Sequence, residues 1–196
     1  ASICREARAR GIATLIDGSQ AAVHMPVKVD EIGCDFYAIT GHKLYGPTGI
    51  GVLFGKYELL DAMPPFLGGG DMIDTVSFEG STYREPPYRF EAGTPAIVET
   101  IGLGAAIDWV EAVGIDNIAA HEVDLLDYAM DQLGAANDVR IFGTTDSKIS
   151  VLAFLLGDHH AHDVGTILDR TGVALRVGQH CAEPLHNRLG VHSTAR

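Results

Sequence analysis

The sequence predicts an α/β protein, and three observations support that prediction. Short apolar runs at residues 13–16, 34–40 and 50–54 have the length of buried strands, and the second is apolar enough to be covered on both faces. Apolar residues at helical spacing follow between residues 103 and 133. Polar side chains stand where the first two runs end, so we expect a site along the carboxyl edge of the sheet.

Composition excludes several classes of protein. The 196 residues include 14 Lys and Arg against 26 Asp and Glu, and the net charge of −12 opposes binding to nucleic acid. No apolar run reaches membrane-spanning length, and no targeting leader opens the chain. The three cysteines are widely separated and odd in number, which favours a reducing, cytoplasmic location over a disulfide framework.

The elements of the first domain each have a local signal. Residues 1–10 have the character of a helix or loop tail, and irregular sequence at residues 64–95, rich in Gly and Pro, predicts a long functional loop. Two helices with core-facing stripes are then expected, the first ending at Gly114. The stripes comprise Leu103, Ala106, Ile107, Val110 and Val113, and then Ala119, Val123, Leu126, Met130 and Leu133.

Composition shifts near Asp138, and we place a domain boundary there, with residues 1–137 before it and residues 138–196 after it. No helix is predicted to close the second domain before the chain ends. The second domain is expected to contain strands at residues 139–142, 149–155 and 173–177 and a helix at residues 161–170.

A glycine-rich loop between the second and third predicted strands carries one lysine, Lys43. An amine held in a partly desolvated pocket can form a Schiff base with an aldehyde, and the aldehyde cofactor that pairs with lysine is pyridoxal 5′-phosphate. Asp17 ends the first strand, where its carboxylate would keep the cofactor's ring nitrogen protonated. The alternatives are an ordinary loop lysine and a turn aspartate.

Three neighbouring side chains fit the same cofactor. Gln20 would donate to its ring hydroxyl, and Thr40 and His42 would bind its phosphate oxygens. Each also has an ordinary alternative, with Gln20 at the start of a helix and His42 as a loop residue.

An ordered set of motifs extends this interpretation to a family. Residues 17–20 (DGSQ), 34–37 (CDFY), 40–51 (TGHKLYGPTGIG), 89–95 (RFEAGTP) and 176–185 (RVGQHCAEPL) closely resemble the SufS-like, group II cysteine desulfurases. These are pyridoxal-phosphate enzymes of the class V aminotransferase superfamily, with the aspartate aminotransferase fold (fold type I). The resemblance runs nearly end to end, and it implies part of the large cofactor-binding domain followed by part of the small C-terminal domain. We therefore expect an internal or C-terminal piece that binds the cofactor weakly or not at all by itself.

The resemblance implies a role for each site residue. Lys43 would bind the cofactor's aldehyde and later shuttle a proton, with Asp17 on the ring nitrogen. Thr94 would reach the phosphate in the partner subunit's site, because the family works as homodimers. Arg196 would clamp the substrate carboxylate, and Arg176 would lie near the incoming sulfur.

Cys181 would be the nucleophile implied by the same resemblance. Its thiolate, favoured by the neighbouring His180 and a positive site, would take sulfur from L-cysteine and leave L-alanine and a persulfide. A SufE-type acceptor protein would then receive the sulfur for iron–sulfur cluster assembly. We expect Lys43 and Cys181 to face one cleft, Cys34 to lie in the core, and Cys4, which lacks supporting neighbours, to be inert.

Other functions remain open from the sequence. A selenocysteine lyase acting on L-selenocysteine, or an aminotransferase that makes no use of Cys181, would employ the same lysine and aspartate. A zinc-binding module is a more distant alternative, because His and Cys residues crowd the C-terminal part, but no paired spacing supports a metal site. The run at residues 159–162 (HHAH) is expected on a solvated helix face. A structural piece without activity of its own is the last alternative.

Overall fold

A computed structural model describes residues 1–196, which group into two units, Ala1–Ile118 and Ala119–Arg196. The dividing point lies inside the helix Ile115–Gly134, and the domain boundary at residues 137 and 138 stays a prediction. None of the helices is both long enough and apolar enough to cross a membrane.

The first unit is built on a three-stranded sheet of β1 (Leu15–Asp17), β2 (Phe36–Thr40) and β3 (Gly51–Gly55), in that order. β1 runs parallel to β2, and β3 runs antiparallel to β2. Parallel pairing brings the carboxyl ends of β1 and β2 to the same edge of the sheet. Asp17 and the loop after Thr40 therefore share that edge, as the sequence predicts.

The helices and the core of the first unit follow from short apolar segments. The core holds Cys4, Cys34 and Tyr37, which are 3%, 1% and 2% exposed, so the prediction that Cys34 is buried is confirmed. The helix α1 (Ser2–Ala9) packs the Cys4 thiol against the other two side chains, and this burial agrees with the expectation that Cys4 is inert. The helices are α1 (Ser2–Ala9), α2 (Ala21–His24), α3 (Val29–Ile32), α4 (Tyr57–Ala62) and α5 (Ile97–Val113).

A polar cluster around Asp35 joins the ends of all three strands. The backbone N–H and the hydroxyl of Thr14 donate to Oδ2 of Asp35 over 2.9 and 3.1 Å, and the Lys56 ammonium donates to Oδ1 over 2.5 Å. The bond from Lys56 lowers the pKa of Asp35 to about 2, with the Thr14 backbone contributing next. Thr14 precedes β1, Asp35 precedes β2 and Lys56 follows β3, so one carboxylate fixes three strand ends.

The sheet is less covered within this unit than the sequence predicts. Val52, Leu53 and Phe54 of β3 are 51%, 56% and 40% exposed; since successive side chains point to opposite faces of a sheet, neither face of this strand is fully covered within the chain. In β2 only Tyr37 is fully buried, and its other residues are half-buried. The prediction of a buried strand is therefore wrong for β3, and the prediction that β2 is covered on both faces is only partly correct.

The segment predicted as a long loop contains a β-hairpin. β4 (Ile73–Val76) pairs antiparallel with β5 (Ser81–Tyr83), and the N–H of Ser77 donates to the carbonyl of Gly80 across the turn. Most of these residues are exposed, so the strands lack the apolar alternation by which strands are recognised. A short 3-10 helix, Tyr88–Phe90, follows.

Helix α5 and helix α6 (Ile115–Gly134) confirm the two predicted helices, and Gly114 stands between them with φ of 88°. The apolar stripes of α5 and α6 that the sequence predicts to face the core are only partly buried. Leu103, Ala106 and Leu126 are buried, whereas Ile107 and Val123 are 38% and 49% exposed.

The second unit contains a four-stranded antiparallel sheet with Phe154, Val164 and Ala195 at its core. Two elements, α8 (Glu183–Leu189) and β9 (Thr194–Ala195), are absent from the sequence prediction. The signals for α8 are nevertheless standard ones, because Pro184 lies in its first turn and Gly190 follows its end. The sheet order is β6 (Val139–Phe142), β7 (Ala153–Leu156), β9 (Thr194–Ala195) and β8 (Val177–Gly178), and the helices are α7 (Ala161–Asp169) and α8 (Glu183–Leu189).

Candidate active site

Asp17 is the last residue of β1, and its carboxylate is held by the turn that follows. The N–H of Ser19 donates to Oδ1 of Asp17 over 3.0 Å. Hydrogen bonds from the Ser19 side chain and backbone lower the pKa of Asp17, and the positive charge of Lys43 lowers it further. The first unit therefore places an ionised carboxylate within electrostatic reach of the lysine amine. Sequence analysis overlooked Ser19, although Asp-Gly-Ser is a common side-chain turn sequence.

Lys43 ends a short 3-10 helix, Gly41–Lys43, that follows β2 directly. The N–H of Gly41 donates to the carbonyl of Ile50 over 2.8 Å, which closes the loop at its base. A Cβ at Gly41 would lie 2.8 Å from Cγ2 of Ile50, so this close approach requires glycine. The expectation of a partly desolvated lysine is not met within the first unit, because Lys43 is exposed there.

Two of the predicted phosphate-binding side chains contact each other. Oγ1 of Thr40 lies 2.8 Å from Nδ1 of His42, which fixes the imidazole beside Lys43. Gln20 immediately precedes α2, which agrees with the alternative interpretation of this residue as the start of a helix. Its side-chain oxygen lies 3.2 Å from Nε2 of His24. The structure thus brings a carboxylate, an amine, a hydroxyl and an imidazole to one sheet edge.

Asp17, Gly18 and Tyr37 are among the residues that line a hollow of about 420 Å³. The Tyr37 hydroxyl is buried without a hydrogen-bond partner, and a Cβ on Gly18 would lie 1.9 Å from Cζ of Tyr37. Lys43 does not line this hollow, so the hollow is not where the amine and the carboxylate would meet. Gly18 is required here because the aromatic ring occupies the space of a side chain.

Arg89, in the motif at residues 89–95, anchors the chain around α4. Its guanidinium donates to the carbonyls of Asp61 and Met63 over 2.6 and 3.2 Å, and it contacts the Asp61 carboxylate at 3.2 Å. The Arg89 side chain is 16% exposed, so within this chain it stabilises the loop that leads to Thr94. Thr94 itself is exposed, and its role in a partner subunit's site stays a prediction.

Cys181 lies in the second unit, between β8 and α8, on a strained turn. His180 and Cys181 have φ values of 55° and 61°, and a non-glycine residue in this left-handed region costs about 1 kcal/mol or more. Cys181 is exposed, whereas Cys4 and Cys34 are buried. The accessible thiol is therefore the one that the sequence predicts to be the nucleophile.

Buried polar groups hold this turn. Nε2 of His180 lies 3.1 Å from both the carbonyl oxygen and Oγ1 of Thr194. Nε2 of His186 lies 3.2 Å from the same Oγ1, and its Nδ1 lies 3.0 Å from the carbonyl of Ala182. Thr194 and His186 are 2% and 5% exposed. Sequence analysis assigned no role to Thr194, which belongs to no recognisable motif, and counted His186 only among the C-terminal histidines of the zinc alternative.

The two predicted substrate-binding arginines flank His180. The backbones of Arg176 and Arg196 exchange two hydrogen bonds, of 3.0 and 2.8 Å, where β8 and β9 begin and end. Burial is the main cause that lowers the pKa of His180, and the positive charges of Arg196 and Arg176 lower it further. The hydrogen bond with the Thr194 backbone acts in the opposite direction and raises this pKa. His180 is therefore a neutral imidazole near neutral pH. Lys43 and Cys181 belong to different units, and the expectation that they face one cleft stays a prediction.

The histidine-rich part of the chain has no arrangement typical of a metal centre. Nowhere in residues 1–196 do three or more His, Cys, Asp or Glu side chains converge as metal ligands would. The His160 ring stacks on His162, and Nδ1 of His160 accepts from the N–H of His162 at the start of α7. These rings are exposed, as predicted, and the zinc alternative has no support in the structure.

The family model for class-V aminotransferases matches residues 1–196, the whole chain. The chain belongs to the class-V aminotransferase family. A solved structure with this fold, a C-DES variant that matches with a TM-score of 0.79 and 24% identity over 99% of this chain and 49% of that one, carries a glycine covalently linked to its PLP cofactor. The α/β fold of PLP-dependent transferases that the sequence predicts is therefore confirmed.

Relatives of this class-V aminotransferase chain carry the name cysteine desulfurase. A probable cysteine desulfurase of Xylella fastidiosa (strain Temecula1) is 54% identical over 194 residues, covering 99% of this chain and 47% of that protein. The solved cysteine desulfurase CsdA from Escherichia coli matches with a TM-score of 0.92 and 46% identity, over 97% of this chain and 47% of that one. The apo cysteine desulfurase from Thermococcus onnurineus NA1 matches with a TM-score of 0.89 and 38% identity, over 97% and 48%. The chain spans about half the length of the curated relatives it matches.

Proposed function

We propose that the full-length protein containing this chain is a PLP-dependent cysteine desulfurase that converts L-cysteine to L-alanine and collects the sulfur as a persulfide on Cys181. The observation that carries this proposal is that parallel pairing of β1 and β2 brings Asp17, at the end of β1, and Lys43, in the loop after β2, to one sheet edge. Relatives with about half their length in common with this chain are named cysteine desulfurases, which supports the same conclusion.

The side chains at the sheet edge fit the cofactor in chemistry and number. The Lys43 amine would hold its aldehyde carbon, and the Asp17 carboxylate would hold a proton on its ring nitrogen. Thr40 and His42, already joined by a hydrogen bond, would bind phosphate oxygens, and Gln20 would donate to the ring hydroxyl. When bound, the cofactor supplies an electron sink that makes the substrate's carbon–sulfur bond breakable.

The second unit would supply the sulfur acceptor and the substrate clamp. The exposed Cys181 thiolate would attack the sulfur of L-cysteine, so that a sulfur–sulfur bond forms as the substrate's carbon–sulfur bond breaks. The electron pair of the broken bond would stay with the carbon fragment, which takes up a proton at that carbon and becomes L-alanine. Arg196 would bind the substrate carboxylate, with Arg176 close to the transferred sulfur.

We further propose that the protein is a cytoplasmic homodimer in which Thr94 completes the phosphate site of the other subunit. A SufE-type protein would accept the persulfide sulfur and supply iron–sulfur cluster assembly. L-selenocysteine would bind to the same residues as L-cysteine. The two reactions would differ in that only the reaction of L-cysteine needs Cys181.

The test is to trap the persulfide on the full-length protein. After incubation with ³⁵S-labelled L-cysteine, peptide mapping is expected to locate the label on Cys181. Lys43→Ala should lose both the cofactor's visible absorbance and the label, whereas Cys181→Ala should keep the absorbance and lose the label. Lys28→Ala, at an exposed lysine paired with Glu31, is the matched control and should keep both. Sulfide release that survives Cys181→Ala unchanged would overturn the persulfide role.

A further inference from the structure

Cys181 lies between two residues that are both tethered to Thr194. On one side, Nε2 of His180 contacts the carbonyl oxygen and Oγ1 of Thr194 at 3.1 Å each. On the other, the carbonyl of Ala182 contacts Nδ1 of His186 at 3.0 Å, and Nε2 of His186 contacts the same Oγ1 at 3.2 Å. We call this set, formed by His180, Thr194, His186 and the Ala182 carbonyl, the Thr194 clamp.

The roles of donor and acceptor in the Thr194 clamp follow from its two carbonyls. A carbonyl oxygen only accepts, so Nε2 of His180 and Nδ1 of His186 both carry hydrogen. Of the two Nε2 atoms beside the Thr194 hydroxyl, only that of His186 can accept its hydrogen, because Nε2 of His180 carries its own. The Thr194 hydroxyl thus donates to one imidazole and accepts from the other. Nδ1 of His180 is left as a bare nitrogen that is buried and has no partner.

The Thr194 clamp acts on a backbone that needs support. His180 and Cys181 both have left-handed φ values, which non-glycine residues keep only where the surroundings hold them. Thr194 provides a rigid anchor because it begins β9, which pairs with β7 and β8 on its two sides. Removing the Thr194 hydroxyl would leave Nε2 of His186 unpaired and weaken the tether of His180.

We propose that Thr194 and His186 are positioning residues for Cys181: they hold its left-handed turn and so fix the direction in which the thiol is presented. Their part in sulfur transfer rests on the proposed function, but the clamp itself can be tested without it. The charged and titratable groups that face His180 are Arg176 and Arg196 from the strand ends and His186 from α8. Loss of the left-handed turn would change how the Cys181 thiol is exposed and in which direction it points.

Alkylation of the 196-residue chain by iodoacetamide tests this proposal directly. Cys4 and Cys34 are 3% and 1% exposed, so the rate reports on Cys181. Thr194→Val, which keeps the side-chain shape and removes the hydroxyl, is expected to slow alkylation at pH 7 by at least about threefold and to shift its pH profile. Thr194→Ser should react like the wild type. Thr166→Val, on the exposed side of α7, is the matched control.

A second variant and a spectroscopic measurement keep the test decisive if Thr194→Val folds poorly. His186→Leu fills a similar volume, leaves Thr194 in place and should reproduce the loss of reactivity. In ¹⁵N spectra of the wild-type chain, His180 should carry its proton on Nε2 and none on Nδ1. Wild-type alkylation in both variants, or a protonated Nδ1 at neutral pH, would overturn the clamp.

The two proposals fail separately. Alkylation needs neither the cofactor nor L-cysteine, so slowed alkylation in both variants supports the clamp even if no persulfide forms on the full-length protein. In that case the proposed function is wrong. A labelled persulfide together with unchanged alkylation in both variants removes the clamp alone.

Discussion

Oγ1 of Thr40 lies 2.8 Å from Nδ1 of His42, immediately before Lys43. The pair presents a hydroxyl and an oriented imidazole at the carboxyl edge of the sheet, where the proposed cofactor phosphate would bind. Replacing Thr40 by Val removes one direct contact and releases the ring. We expect Thr40→Val to weaken PLP binding by the full-length protein about tenfold, since a hydrogen bond to a charged group contributes about 1.5 kcal/mol or more.

The measurement is a fluorescence titration of the apo full-length protein with PLP. Thr40→Ser, which keeps the hydroxyl, should bind nearly as tightly as the wild type. Equal affinity of the Val and Ser variants would mean that this pair makes no contact with the phosphate.

The carboxylate of Asp35 should make the chain's stability depend on pH in the acid range. Its folded pKa of about 2 lies below the unfolded value of about 3.9, so its contribution is present above pH 4 and is lost as pH falls through about 2. Asp35→Asn should therefore lower the melting temperature at pH 7, and the difference from wild type should shrink steadily below pH 4. Thermal melts followed by circular dichroism measure this, with Asp124→Asn, on the exposed face of α6, as the control.

Gly18→Ala should destabilise the first unit, because the new Cβ would lie 1.9 Å from the buried Tyr37 ring. Overpacking of this kind costs about 1 to 3 kcal/mol. The chain's single tryptophan, Trp109, packs edge-on against Tyr45 in the same unit, so its fluorescence in a urea titration reports on this unit. Gly104→Ala has open space around it in α5 and should raise stability by about 0.5 to 1 kcal/mol. Equal midpoints for the two variants would contradict the packing argument.

Acid should also weaken the second unit through His180. Its folded pKa lies below the unfolded value of about 6.5, so the unfolded chain binds a proton that the folded chain resists, and stability falls as pH drops below 6.5. His180→Gln should flatten this dependence between about pH 7.5 and about pH 5.5. Melting temperatures across this range test the effect, and His192→Gln, at an exposed position, should keep the wild-type slope.

The chain alone is expected to bind PLP weakly. Lys43 is exposed in the first unit, where no enclosing surface excludes water from the amine. Borohydride reduction of the chain with PLP, followed by mass spectrometry, should find little label on Lys43, and Lys28 is the internal comparison. Stoichiometric and selective labelling of Lys43 would show that the 196 residues form the site without further chain.

The sequence predicts those parts of the fold and site that are encoded locally. Apolar runs identified β1, β2 and β3, and helical periodicity identified α5 and α6. Asp17 and Lys43 stood out in the sequence because Asp17 ends β1 and Lys43 lies in the loop after β2, and parallel pairing brings these two strand ends together. Burial was predicted less well, since exposure of β3 depends on which elements pack against it.

Elements that depend on distant contacts were missed. β9 is two residues long and exists through pairing with β7 and β8, and the hairpin β4–β5 has no buried face. The contacts of Thr194 with His180 and His186 likewise join residues that no local pattern connects. Such contacts become visible only when the chain is folded.

The unpaired edge and the exposed apolar side chains of β3 have a practical consequence for the purification of this chain alone. Its unpaired amides and its valine, leucine and phenylalanine side chains offer a template on which another β-strand can dock. Preparations should therefore become turbid as they are concentrated, and dilute samples will be needed for spectroscopy.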